Sequence, residues 1–327
     1  MMRFAAVVLV VLVTAGAVAA QSVSPPVADV DQAVVLISVA IESGGRTVRG
    51  SGSGIIIDAG GLILTAAHVV RSAQTMDVTL WSGQSLPARL VGVDPLFDAA
   101  LIRIDAAAPL PTATLGNAAA LASGALLTAL GRAPRRQAGP TAGEFIDVDL
   151  EARPGVPNLR ASARVWPGDS GGALIDGRGE VVGLIVAVTR DGTISLSLSM
   201  DAVKRLMPDL LAGSVRHPWL GVSGRTLTPE LAQQLGLAGR NGIVVLEVVP
   251  GGPAASAGLR AGGPAPSGEL PRDGDLIVAI DGQPVTTFGA MAAYVLGRKI
   301  GDSVTVQVLR SGELLTTTIV LGERPSV

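Results

Sequence analysis

Short apolar runs separated by glycine-rich turns constrain this chain more than any other feature. From residue 33 they recur at 34–40, 55–58, 78–80, 99–104, 125–130, 144–150, 181–188 and 194–198, and glycine makes up 42 of the 327 residues. Many short strands at such spacing predict an all-β barrel or sandwich rather than a βαβ array. The pattern predicts one helix in this half, over 202–211, with Gly213-Ser214 after it as a stop and hinge. A second, smaller unit begins near Trp219, with strands over 243–249, 276–280, 304–309 and 315–320 and helices over 253–258 and 288–296. Asp281-Gly282 and Ser311-Gly312 are hairpin-turn dipeptides between its apolar runs. A length of 327 residues suits about two domains of ~150 residues each.

The N-terminus reads differently. Arg3 precedes an apolar or small-residue stretch over 4–20, and both Ala17-Val18-Ala19 and Val18-Ala19-Ala20 suit a signal peptidase. About 17 apolar residues is also the lower limit for crossing a bilayer, so an inner-membrane anchor is the alternative to a cleaved signal. Both readings export the rest of the chain. The expected division is 1–20 signal or anchor, 21–32 polar linker, 33–212 first domain, 213–217 linker and 218–327 second domain.

Composition then excludes whole classes of chemistry. With no cysteine there is no disulfide, thiolate zinc site, iron–sulfur cluster or thiol nucleophile. An exported chain without cysteine suits a bacterial periplasm or cell envelope. Twenty-five basic against 27 acidic side chains leave a net charge of −2, with no basic face to expect nucleic acid on. No metal site and no cofactor is expected. Imidazole chemistry must use His68 or His217, the only two histidines.

Gly168-Asp169-Ser170-Gly171-Gly172 is the most informative segment. Glycines around a serine allow a sharp turn that exposes Oγ and aims the amides of Gly168, Asp169 and Ser170 at one point, as an oxyanion hole requires. The same pattern describes the nucleophile elbow of α/β-hydrolases, whose chain order of Ser, acid, His would leave only His217 as base. His217 precedes Pro218 in the expected linker, a poor place for a firmly held imidazole. His68 instead follows an apolar strand, and Asp98 comes thirty residues later at the start of the run 99–104. Asp94 is a rival acid, but Pro95 beside it suggests a turn. Singly, His68 reads as a packed histidine, Asp98 as a cap and Ser170 as part of a plain glycine turn. Jointly, in the order His, Asp, Ser, they point to a chymotrypsin-like triad.

Gly50-Ser51-Gly52-Ser53-Gly54 with Ile55-Ile56-Ile57-Asp58, Leu64-Thr65-Ala66-Ala67-His68-Val69, the Asp98 segment and the Ser170 pentapeptide together resemble the HtrA/Deg family of envelope serine proteases. Val181-Val182-Gly183-Leu184 and 194–204 continue the likeness. A nucleotide loop at 50–54 is disfavoured because no helix-opening βαβ unit follows. The second unit resembles that family's PDZ domain: Trp219-Leu220-Gly221-Val222 stands where its carboxylate-binding loop lies, and the helix carrying Met291 and Val295 would flank a peptide groove. One PDZ domain behind an N-terminal hydrophobic segment is similar to the single-PDZ, stress-sensor-type members.

The resemblance implies a mostly β chain, with a chymotrypsin-like double barrel followed by a small PDZ domain. It implies an exported serine endopeptidase that cleaves misfolded or regulatory envelope proteins, with a PDZ domain that binds C-terminal peptides. The alternative is a proteolytically idle peptide-binding or chaperone module. Four departures accompany the likeness. Asp169 replaces the family's Asn, and 159–163 lacks its Gln-Thr-Asp-Ala run. Arg164, six residues before Ser170, either favours acidic P1 side chains or points to solvent while Val165, with Leu196, lines the pocket. The family forms homotrimers through aromatic side chains before the first protease strand, yet no aromatic lies between Phe4 and Trp81.

Overall fold

The computed structural model describes residues 27–132, 139–262 and 274–325. The expected signal or anchor over 1–20 lies outside these residues. Among the described residues no helix is long and apolar enough to cross a membrane.

The short apolar runs form two closed antiparallel barrels of six strands each. The first contains β1 (Val34–Ser43), β2 (Arg46–Asp58), β3 (Leu62–Thr65), β4 (Thr75–Thr79), β5 (Ser85–Asp94) and β6 (Ala99–Ile104) in the order β1-β2-β3-β6-β5-β4. The second contains β7 (Leu126–Leu130), β8 (Thr141–Asp149), β9 (Asn158–Ala161), β10 (Ala173–Ile175), β11 (Val181–Val188) and β12 (Ser195–Ser199) in the order β10-β11-β12-β9-β8-β7. Closure removes the exposed edges that short strands would otherwise present. It also explains why three-residue β10 and four-residue β9 are strands at all. Each is paired on both sides, although neither carries enough residues to display a period.

The glycine run of 50–54 is the middle of β2, paired residue for residue with β1, where Ile37 faces Gly52 and Val35 faces Gly54. Ile37, Ile55, Ile63, Leu64, Leu101 and Ile102 are fully buried in the first barrel. Leu127, Phe145, Leu159, Leu174 and Ile185 fill the second.

Both expected linkers carry structure. Val27–Asp31 is a short helix, α1, and Val30 is buried in the first barrel's core, so the segment 21–32 is not linker throughout. The chain over 213–217 is also held: Ser214 bridges Val93, and His217 is buried. The expected helix over 202–211 spans Met200–Leu211 and packs on β5, β6, β11 and β12.

In the second domain the sheet includes Val222–Thr226, Ile243–Val248, Leu276–Ile280, Ser303–Arg310 and Glu313–Val320. Two helices fall where expected, Pro253–Ser256 and Phe288–Leu296. A third, Pro229–Gln234, was not expected from the pattern; Thr228 caps it by accepting from the Leu231 amide. The domain docks on the 150–157 loop, which joins β8 to β9 in the second barrel. The Glu151 carboxylate accepts the Gly289 amide at 2.6 Å, near the start of helix Phe288–Leu296, and the Thr226 hydroxyl at 3.2 Å. An acidic side chain at a helix N-terminus meets unpaired amides and the positive end of the helix dipole.

Candidate active site

His68 lies on the one-turn helix Ala67–Val70 that follows β3, and Asp98 ends the turn leading into β6. Because β3 pairs with β6, the residues just beyond Thr65 and just before Ala99 meet at one end of the barrel. Asp98 meets His68 with both oxygens. Oδ1 accepts the His68 backbone N–H at 2.9 Å, and Oδ2 contacts Nδ1 at 2.8 Å. Its own carbonyl accepts the Ala67 amide at 3.2 Å. A carboxylate only accepts, so the proton sits on Nδ1 and Nε2 is left as a base. The imidazole side chain is 45% exposed and Asp98 15%. Asp98 occupies the left-handed backbone region at φ +60°, an uncommon conformation for a residue with a side chain.

Ser170 comes from the second barrel, in the turn before β10. Two bonds from Ser53 attach that turn to the first barrel, and a third, within the barrel, braces Ser53 itself. The Ser53 amide donates to the Ser170 carbonyl at 2.7 Å, and the Ser53 hydroxyl donates to the Gly168 carbonyl at 2.8 Å. The Thr65 hydroxyl donates to the Ser53 carbonyl at 2.7 Å, linking β2 to the residue three before His68. Ser53 and Thr65 are fully buried. Gly171, at φ +86°, lets the turn close, since a Cβ there would stand 2.0 Å from the Ser53 carbonyl oxygen. Among the described residues no hydrogen bond joins Ser170 Oγ to the imidazole; the Ser53 and Thr65 bonds set the serine turn against the strands that lead to the histidine helix.

The turn has its own internal lock. The Asp169 amide donates to the Trp166 carbonyl at 2.9 Å, and buried Asp169 accepts the Trp166 amide through Oδ2 at 2.9 Å. Pro167 and Gly168, with Gly168 at φ +101°, are the central residues of that turn, a Pro-Gly sequence suited to a type II geometry. The expectation that Asp169 would direct its amide at an oxyanion is therefore corrected. That N–H is committed inside the turn.

In the second domain Trp219, Leu220 and Val222 line one cavity of about 520 Å³ with Met291 and Val295. Gly221 holds the loop's bend at φ +82°, and its carbonyl accepts the Val249 amide at 2.9 Å. Pro95, Leu96 and Arg153 of the first domain close the cavity from the other side.

Comparison with known proteins agrees with both halves. The description of a trypsin-like peptidase domain matches residues 52–184, and that of a PDZ domain matches residues 218–321. HhoA of Synechocystis sp., named as a serine protease, is 33% identical over 291 residues, 84% of this chain and 71% of its own. The chain belongs to the HtrA/Deg family of serine proteases. A DegP-like protein of Halomonas elongata, named as a periplasmic serine endoprotease, is 34% identical over 85% of this chain, which spans only 57% of that relative's length. Among solved structures, the HtrA-type protease AlgW with tripeptide superposes with a TM-score of 0.76 at 30% identity, covering 92% of this chain and 97% of that one.

The family's fold also locates the remaining sequence expectations. Arg164 is exposed, with its guanidinium 5.6 Å from the Trp166 ring centroid, while Val165 is buried in the second barrel's core. Leu196 is half-buried on β12, opposite Arg160 and Ala187. The Arg164 charge does not enter the protein interior. Sequence reasoning quoted Ser53 and Thr65 without giving them work. For Thr65 the signal was a hydroxyl ending an otherwise apolar strand, and for Ser53 a hydroxyl between two glycines just before an apolar run, where burial obliges each to find a partner. Arg153 was also missed. Its Nη1 lies 3.9 Å from Asp98 Oδ2, and burial lowers its pKa against the raising influence of Asp98 and Asp94.

Proposed function

We propose that this chain is a serine endopeptidase of the bacterial periplasm or cell envelope, acting through Ser170, His68 and Asp98. The observation that carries the reading is the pair of hydrogen bonds that Asp98 accepts from His68, at 2.8 and 2.9 Å, beside a serine turn bonded to β2 of the same barrel. Ser170 Oγ attacks the scissile carbonyl and gives its proton to His68 Nε2. Asp98 supports the imidazolium that forms, and the Gly168 and Ser170 amides stabilise the oxyanion. The imidazolium then protonates the leaving amine, and a water repeats the sequence on the acyl-enzyme. Substrates are unfolded or regulatory proteins, because a segment must lie extended in the cleft before Ser170 can reach it. A fluorophosphonate probe tests the reading directly. Labelling is expected at Ser170, with or without added C-terminal peptide, and is lost in Ser170→Ala. Absence of labelling under every condition overturns the enzyme in favour of an idle peptide-binding module.

The second domain captures C-terminal peptides in the cavity between Trp219–Val222 and the helix bearing Met291 and Val295. Support comes from the loop's bent backbone and from the structures of AlgW with a tripeptide and with a decapeptide. Gly221→Asp is expected to weaken peptide binding at least about 100-fold, roughly 2.7 kcal/mol, in calorimetry. The side chain would be strained at φ +82° and would set a negative charge beside the ligand's carboxylate. Unchanged affinity would move the carboxylate site elsewhere.

A further inference from the structure

His217 is the histidine the triad does not use, and it is held as firmly as His68. Its Nε2 lies 3.0 Å from both oxygens of Asp94, and its ring stacks on Phe97 with centroids 5.3 Å apart and planes 23° apart. Asp94 is fully buried, and its Oδ1 also accepts the amides of Leu96 at 2.9 Å and Phe97 at 3.3 Å. Those amides belong to the turn that ends in Asp98. The imidazole comes from the segment joining the two domains, 123 residues further along the chain.

We propose that the Asp94–His217 pair positions the catalytic acid. The inference rests on the triad reading above. A fully buried carboxylate needs partners for both oxygens, because unpaired charge in the interior is expensive. Without His217, Asp94 Oδ2 loses the partner the structure gives it, and the carboxylate turns toward water or toward Arg153. Either movement pulls on the Leu96 and Phe97 amides and loosens the turn. Asp98 feels this more than an ordinary residue would. Its left-handed backbone at φ +60° persists only while its surroundings over-determine it. Released, it relaxes and no longer presents both oxygens to His68. Other charged groups frame the pair without replacing it. Arg153 faces Asp94 and Asp98 from the 150–157 loop, and Arg71, Arg216, Glu323 and Arg324 line the cavity beside His217. Arg216 is itself bonded to Glu323 at 3.0 Å.

The test uses the full chain with three substitutions at one site. His217→Ala and His217→Asn remove the contact, the second because its side chain is too short to reach Asp94. His217→Gln places an amide donor near the Nε2 position. The loss variants are expected to lower kcat about ten-fold with KM unchanged, and His217→Gln to restore most of it. A second readout follows from there being only two histidines. In protein labelled with 15N-histidine, long-range proton–nitrogen correlation assigns the tautomer of each ring. His68 is expected to hold its proton on Nδ1 in the parent and in His217→Gln, and to mix tautomers in the loss variants. A purely structural role would lower the melting temperature and leave both the tautomer and kcat unmoved. If His217→Ala does not fold, His217→Asn decides. Folded loss variants with parental kcat and a parental His68 tautomer overturn the proposal. Asp98→Asn, measured alongside, separates the two readings. If it disables the protein while the His217 variants do not, only this inference falls; if it leaves kcat intact, the triad reading falls and takes the inference with it.

Discussion

Replacing Asp98 by asparagine is expected to lower kcat about 10,000-fold without unfolding the protein. The two acceptors of Asp98 face two different donors, the backbone N–H of His68 at 2.9 Å and its Nδ1 at 2.8 Å. Asparagine has one acceptor. The backbone N–H cannot give up its proton, so the amide oxygen turns to it and the amide NH2 faces Nδ1. The imidazole then carries its proton on Nε2 and meets Ser170 as a donor rather than a base. Turnover of an unstructured protein substrate, with circular dichroism to confirm the fold, measures the effect. A loss of less than ten-fold would show that the carboxylate does not set the tautomer.

The second large effect concerns stability rather than chemistry. Asp275, at the start of strand Leu276–Ile280, has a fully buried side chain that takes Arg310 Nε at 2.6 Å, Arg310 Nη2 at 2.8 Å and the Arg260 amide at 2.8 Å. Arg310 ends strand Ser303–Arg310 and also donates to the Gly258 carbonyl at 2.8 Å, so one guanidinium joins two strands and the turn after helix Pro253–Ser256. Its bond to Asp275 raises its pKa above an already high value, so it stays charged at any working pH. Arg310→Met leaves a buried carboxylate with one amide as partner, at a cost of about 3–5 kcal/mol. For a domain of this size that is a fall of roughly 15–30 °C in melting temperature. Calorimetry is expected to show the PDZ transition moving down and separating from that of the protease barrels. A single unshifted transition would mean that the pair contributes little.

Legibility differed sharply between the two halves of the site. His68, Asp98 and Ser170 could be picked out because the chain has two histidines and one glycine-framed serine of this kind, so few combinations satisfy a triad. Asp94 and His217 were set aside as a turn residue and a linker residue. Both descriptions are locally correct, since Asp94 does cap the 94–98 turn. Nothing in sequence relates two residues 123 positions apart, and only the docking of the interdomain segment beside the first barrel makes them a pair. Asp169 was misread for a similar reason. Its neighbours indicate a tight turn, but which amide faces outward depends on the dihedral angles at Pro167 and Gly168.

The sequence by itself determined that this chain is built from many short strands in two units, that its chemistry excludes thiols, and that one ordered trio could form a triad. Those conclusions depend on residue type and on spacing along the chain, which the sequence displays. Only the tertiary structure decided how the trio is held. The bonds from Ser53 and Thr65 attach the serine turn to the histidine loop, Arg164 faces solvent, and the second histidine closes on Asp94. Each depends on which buried donors and acceptors meet when two barrels and a linker pack. Burial makes those pairings obligatory, because an unpaired polar group in the interior is costly. Packing alone chooses the partner.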